Sequence, residues 1–86
     1  MALYQLQSAT YSLDKLTAVY TDSDCLLLIG DGVYQLHSTA AFKSVYVRQK
    51  DLEQRGINTA LEHIILVSDE EWVNLTLTHQ PVVSLL

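Results

Sequence analysis

Short, continuous apolar runs recur along the chain: Cys25-Leu26-Leu27-Leu28-Ile29, Val45-Tyr46-Val47 and Ile64-Ile65-Leu66-Val67. They do not alternate with polar residues, as one-sided strands do. Runs that are apolar on both faces are the mark of parallel strands covered on each side by helices. The first run, Leu3 to Leu6, alternates more and predicts a less buried strand. Pro81-Val82-Val83 reads as a final strand or tail, with proline at its start where no ladder donor is needed.

Helix signals lie between these runs. Ser12 is a good N-cap for a helix carrying Leu13, Leu16 and Tyr20 at spacings of three and four. Asp31-Gly32 opens a second, short helix with Val33, Leu36 and Ala40 on one face. Asp51-Leu52-Glu53-Gln54-Arg55-Gly56 predicts one or two turns stopped by Gly56. Ser68-Asp69-Glu70-Glu71 is a capping box, with three acids in the first turn where the helix dipole favours them. Trp72, Leu75 and Thr76, with Val73 and Leu77, give that last helix an apolar side. The alternation predicts a single α/β domain over residues 1–86: a mostly parallel sheet of four to five strands, joined by right-handed crossovers, with helices on both faces.

Composition adds a partner to this picture. Apolar residues make up 49% of the chain and charged ones only 17%, against about 25% charged in an ordinary globular domain. Burying part of that apolar surface against another chain resolves the shortage of polar cover. The formal charge is −5 and the five Lys and Arg are scattered, so neither phosphate backbones nor acidic membranes find a basic patch. Met1-Ala2-Leu3 lacks a basic leader, and no apolar run approaches the ~20 residues of a membrane span. One cysteine cannot form an internal disulfide, which suits a reducing compartment and predicts a cytoplasmic protein.

Candidate chemistry is sparse. Gly30-Asp31-Gly32 follows a strand and opens a helix, where open α/β sheets place ligands and free N–H groups attract anions. The longer phosphate-binding glycine motifs are missing and Asp31 repels a phosphate, so a tight turn with Asp31 as N-cap is the favoured reading. Cys25 is the only thiol. Asp22, Asp24 and the apolar strand it enters all disfavour a thiolate, which makes it a buried structural cysteine before a catalytic one. His37, His63 and His79 form no pair with each other or with Cys25 at metal-ligand spacing; Glu62-His63 precedes a strand and His79 falls near a helix C-terminus. No cofactor or metal is expected, and no catalytic residue is assigned. Tyr34, Phe42, Tyr46 and Trp72 are candidate interface anchors, since aromatics dominate interface energetics, while core packing explains Trp72 equally well.

The order of motifs resembles the TusB/DsrH family of sulfur-relay subunits over nearly the whole chain. Leu3-Tyr4-Gln5-Leu6-Gln7-Ser8 is similar to its opening strand and Ser-containing loop, and Leu26 to Tyr34 to its apolar strand and Asp-Gly-Val turn. Val45-Tyr46-Val47 with Asp51-Leu52 and Arg55-Gly56 resembles its next strand and helix end. Ile64 to Val67 with Trp72-Val73-Asn74-Leu75-Thr76 resembles its last strand and helix. The resemblance implies a DsrE-like fold and a heterohexamer, two copies each of this chain and of TusC- and TusD-like subunits. Such a complex passes persulfide sulfur toward 2-thiolation of the tRNA wobble uridine; a DsrH-type relative serves in sulfur oxidation. The main transferring cysteine belongs to another subunit. Some DsrH members carry a cysteine near the position of Leu16, which this chain lacks, and the family's C-terminal aromatic is also absent. Read this way, the chain is an accessory subunit of a sulfurtransferase complex. Two alternatives stay open: sulfur transfer by Cys25 itself, and a homo-oligomeric α/β module of unrelated role.

Overall fold

The computed structural model describes residues 2–57 and 63–85; Glu62, read above as preceding a strand, lies outside them. Five strands, β1 (Leu3–Leu6), β2 (Cys25–Leu28), β3 (Val45–Arg48), β4 (Ile64–Val67) and β5 (Val82–Leu85), form one sheet in the order β4-β3-β2-β1-β5. Every pairing is parallel. The helices are α1 (Leu13–Thr17), a 3₁₀ helix (Gly30–Ser38), α2 (Gln49–Gln54) and α3 (Asp69–Thr78).

Strand order and crossover handedness decide which face each helix covers. From β1 to β4 each strand is laid down on the same side of the last, so right-handed crossovers place α1, the 3₁₀ helix and α2 on one face. The chain then jumps back across the sheet to β5, which puts α3 on the other. The cores follow this division. Leu13, Leu16, Val33, Leu36 and Leu52 pack with Leu6, Leu26, Leu28, Val45 and Val47 on the three-helix face. Leu3, Cys25, Leu27, Ile29 and Val67 form the smaller core under Trp72 and Leu75.

Two burial expectations are reversed by this order. β1 is an inner strand, with Leu3 and Leu6 fully enclosed, because β5 returns to lie outside it. β4, expected to be buried on both faces, is an edge, and its Ile65 and Leu66 are 52% and 43% exposed. Alternation within a strand says nothing about which neighbours it acquires.

The helix starts follow their local chemistry. Ser68 accepts the Glu71 N–H while Glu71 accepts the Ser68 N–H, so the capping box of α3 is complete. Ser12 occupies the N-cap of α1 without a side-chain capping bond, and α1 ends before Tyr20. Asp31 is not an N-cap. Ile29 holds that position, Asp31 falls in the first turn of the 3₁₀ helix, and its carboxylate turns away to Arg55. Gly56, at φ +62°, follows α2 as a left-handed stop.

Candidate functional site

In an all-parallel sheet every strand delivers its last residue to the same end of the molecule, where open α/β sheets take their ligands. Here that end carries a cleft of about 390 Å³. Gln7 follows β1 into it, Ile29-Gly30-Asp31 follow β2, Arg48 ends β3, Asp51 and Trp72 come from α2 and α3, and Arg55 stands just past the end of α2.

Charge in the cleft is arranged as an alternating chain. The Asp51 carboxylate, 5% exposed, lies 3.4 Å from both the Arg48 and the Arg55 Nη1. Arg48 donates from Nε to Asp69 at 2.8 Å, Arg55 donates from Nη2 to Asp31 at 3.0 Å, and Lys50 reaches Asp69 at 3.4 Å. Each guanidinium also lies over an aromatic ring, Arg48 at 5.0 Å from the centre of Trp72 and Arg55 at 5.9 Å from that of Tyr34. The hydrogen bond from Arg48, above all, holds the Asp69 carboxyl below its ordinary range. Their bonds to Asp69 and Asp31 hold the Arg48 and Arg55 guanidinia still more firmly charged. Both arginines are therefore committed to carboxylates, and an incoming phosphate has to displace an aspartate to gain either.

The Gly30-Asp31-Gly32 motif has a backbone explanation beside this cleft. Gly30 adopts φ +55°, and a Cβ there meets nothing within 4 Å. Gly32 is different: a Cβ there falls well inside contact distance of the Leu6 carbonyl. One glycine serves a left-handed turn and the other a close approach between the 3₁₀ helix and β1.

The thiol stands at the opposite end. Cys25 begins β2, so the five residues to Gly30 separate it from the cleft by roughly 16 Å of extended chain. Its Sγ lies 3.3 Å from His79 Nε2. His79 Nδ1 lies 2.9 Å from the Leu75 carbonyl, with the Thr78 hydroxyl at 3.1 Å. A carbonyl oxygen only accepts, so in the neutral ring Nδ1 carries the proton and Nε2 is left to accept the Cys25 S–H. Both residues are buried, at 7% and 9% exposed. Burial, and after it the charge of Asp24, pushes the thiol upward from its ordinary value, away from the thiolate that sulfur chemistry needs. Asp24 itself accepts the Ala2 N–H at 2.8 Å and the Thr21 N–H at 2.9 Å.

The four aromatics separate. Phe42 is 4% exposed, packs edge-on to Tyr20 and is enclosed within the chain, so it offers no anchor. Tyr34 is 56% exposed. Tyr46 and Trp72 are half-buried, and the buried Trp72 Nε1 has no hydrogen-bond partner among the described residues.

Reading the sequence did not find the Cys25–His79 pair, whose members are 54 residues apart, nor the arginine–aspartate chain. The pair left no spacing signal. The chain did: Asp31, Arg48 and Asp69 all stand at or just beyond strand ends, which a parallel sheet gathers.

Among the described residues, no group of three His, Cys, Asp or Glu side chains is placed to hold a metal ion. No helix among them is long and apolar enough to cross a membrane. Comparison with curated proteins gives no match. The family described as DsrH-like protein matches residues 7–82, from the end of β1 to the start of β5. That span takes in both ends of the sheet, the charged cleft and the Cys25–His79 pair, and the chain belongs to the DsrH-like family.

Proposed function

We propose that this chain is a non-catalytic subunit of a cytoplasmic, heterohexameric sulfur-relay complex, two copies each with TusC- and TusD-like chains, which passes persulfide sulfur toward 2-thiolation of the tRNA wobble uridine. DsrH-like proteins are parts of sulfur-relay complexes. The observation that carries the non-catalytic half is the setting of the sole thiol. Cys25 is buried, is raised away from the thiolate by that burial, and stands at the end of the sheet remote from the cleft. An acidic chain with its arginines tied to aspartates also fits a component that hands sulfur between proteins without gripping RNA.

The Cys25–His79 contact favours a second reading, in which this thiol itself takes up sulfur, since an adjacent imidazole is the usual activator of a cysteine. One experiment separates the two. Cys25→Ser is co-expressed with the TusC- and TusD-like subunits, the complex is weighed by native mass spectrometry, and tRNA thiolation is measured. An intact complex with unchanged thiolation is expected. Lost thiolation in an intact complex establishes the second reading, and a wild-type chain that stays monomeric beside its partners removes both. A complex that assembles but serves sulfur oxidation leaves thiolation unaffected by deletion of the whole chain.

A further inference from the structure

The two faces of the sheet are covered unequally. Five parallel strands span about 19 Å, and a helix with its side chains covers about 10 Å. Three helices share one face, whereas α3 is the only helix among the described residues on the other, and none of its residues is fully buried. Four of the seven large apolar side chains left most exposed are on this side: Ile65 on β4, Val82 on β5, and Val73 and Leu77 four residues apart on α3. Beside α3, toward the β4 edge, runs a groove of about 280 Å³. Tyr46, Ile65, Val67 and Leu75 make its apolar floor and wall, and Glu71 stands at its lip.

Charge around the groove selects its occupant. Of the three carboxylates in the first turn of α3, Asp69 is paired with Arg48 and Lys50. Glu70 and Glu71 make no ion pair among the described residues, and Glu71 accepts the Ser68 N–H with one oxygen. A second copy of this chain brings the same Glu71 carboxylate to the same lip and carries a formal charge of −5 of its own, so self-association sets like charges together. A partner with an apolar side chain beside lysine or arginine meets both requirements. We propose that the groove between α3 and the β3–β4 edge seats such a segment, apolar and flanked by basic residues, from a partner subunit of the relay complex. The inference rests on the assembly reading above and names the face that assembly uses.

The test uses the chain together with its co-expressed partner subunits. Ile65→Asp puts a charge on the groove wall at a site 52% exposed in the free chain. Glu70→Gln with Glu71→Gln removes the lip charge and the carboxylate beside it, and keeps the capping bond, since glutamine also serves at that position. Val19→Asp, on a residue 59% exposed near the end of α1, is the control. Ile65→Asp is expected to weaken partner binding roughly tenfold or more with its melting temperature unchanged. The double glutamine variant is expected to flatten the salt dependence of binding, and Val19→Asp to bind like wild type. Wild-type affinity in Ile65→Asp overturns the groove while leaving the assembly reading standing. A homodimer of the chain alone that Ile65→Asp dissolves overturns the choice of occupant. A wild-type chain that binds no partner subunit removes the assembly reading and this inference with it.

Discussion

Replacing Gly32 by alanine tests whether the Gly-Asp-Gly turn is kept for backbone geometry or for a ligand. The new methyl meets the carbonyl of Leu6, and that carbonyl cannot withdraw. It accepts the Ile29 N–H at 3.0 Å, and Leu6 stands in register with Leu28 on one side and Leu85 on the other. Moving β1 aside disturbs two ladders at once. Overpacking usually costs about 1–3 kcal/mol, and here the obstacle is backbone, so about 3 kcal/mol is expected. At Gly30 the space is open and only the left-handed φ opposes a side chain, costing about 1–2 kcal/mol for alanine. A chain of this size holds roughly 4–13 kcal/mol in total. Gly32→Ala should therefore lower the melting temperature by roughly 12–24 °C. Urea unfolding followed by circular dichroism measures both variants, with Gly30→Ala as the milder one. A pair of glycines kept for a ligand leaves the stability of the free protein untouched. A Gly32→Ala loss below about 0.5 kcal/mol, or an order of damage reversed between the two sites, refutes the steric reasoning.

Three further outcomes are expected. Asp51→Asn takes the central carboxylate from between Arg48 and Arg55, and should cost about 1–3 kcal/mol in urea unfolding, more than Asp69→Asn at the exposed end of the chain. Tyr20, whose hydroxyl donates to the Asp24 carbonyl at 2.8 Å, is pushed up to about 12 mainly by burial. Its neutral form is the one the fold favours, so its contribution is intact below pH 10 and is lost as pH rises from about 10 toward about 12; a late tyrosinate absorbance step that Tyr20→Phe removes checks this. Asp24 is held below its ordinary range first by the Ala2 N–H. Its contribution is present above the unfolded carboxyl value of about 4 and is lost as pH falls below it. Acid unfolding of Asp24→Asn should accordingly be shallower through that range.

Much of the architecture was legible because it rests on local rules. Runs without alternation announced parallel strands, and Ser68-Asp69-Glu70-Glu71 announced the start of α3, since a capping box is written within four residues. The position of each strand in the sheet was not legible. Whether Ile65 faces solvent depends on no sixth strand lying beyond β4 among the described residues, and whether Leu3 is enclosed depends on β5 returning to β1. Cys25 was correctly placed in a buried, acidic setting by its neighbours Asp22 and Asp24. Its contact with His79 was hidden, because it joins the first residue of one strand to the residue after a distant helix. Scattered cations looked inert in the sequence, yet Arg48 and Arg55 meet over Asp51 once β3 and α2 follow one another.

The place of β5 beside β1 bears on how the molecule opens. This ladder joins segments nearly the whole chain apart, whereas β1–β2, β2–β3 and β3–β4 join neighbours. Closing so long a loop carries the largest entropy cost in the sheet, and β5, like β4, is held by a single neighbouring strand. β5 therefore forms the outermost cooperative unit, with amides that exchange with solvent through partial opening long before those of β2 and β3. Each such opening bares the flank of β1, a hydrogen-bonding row that a strand from another molecule can fill.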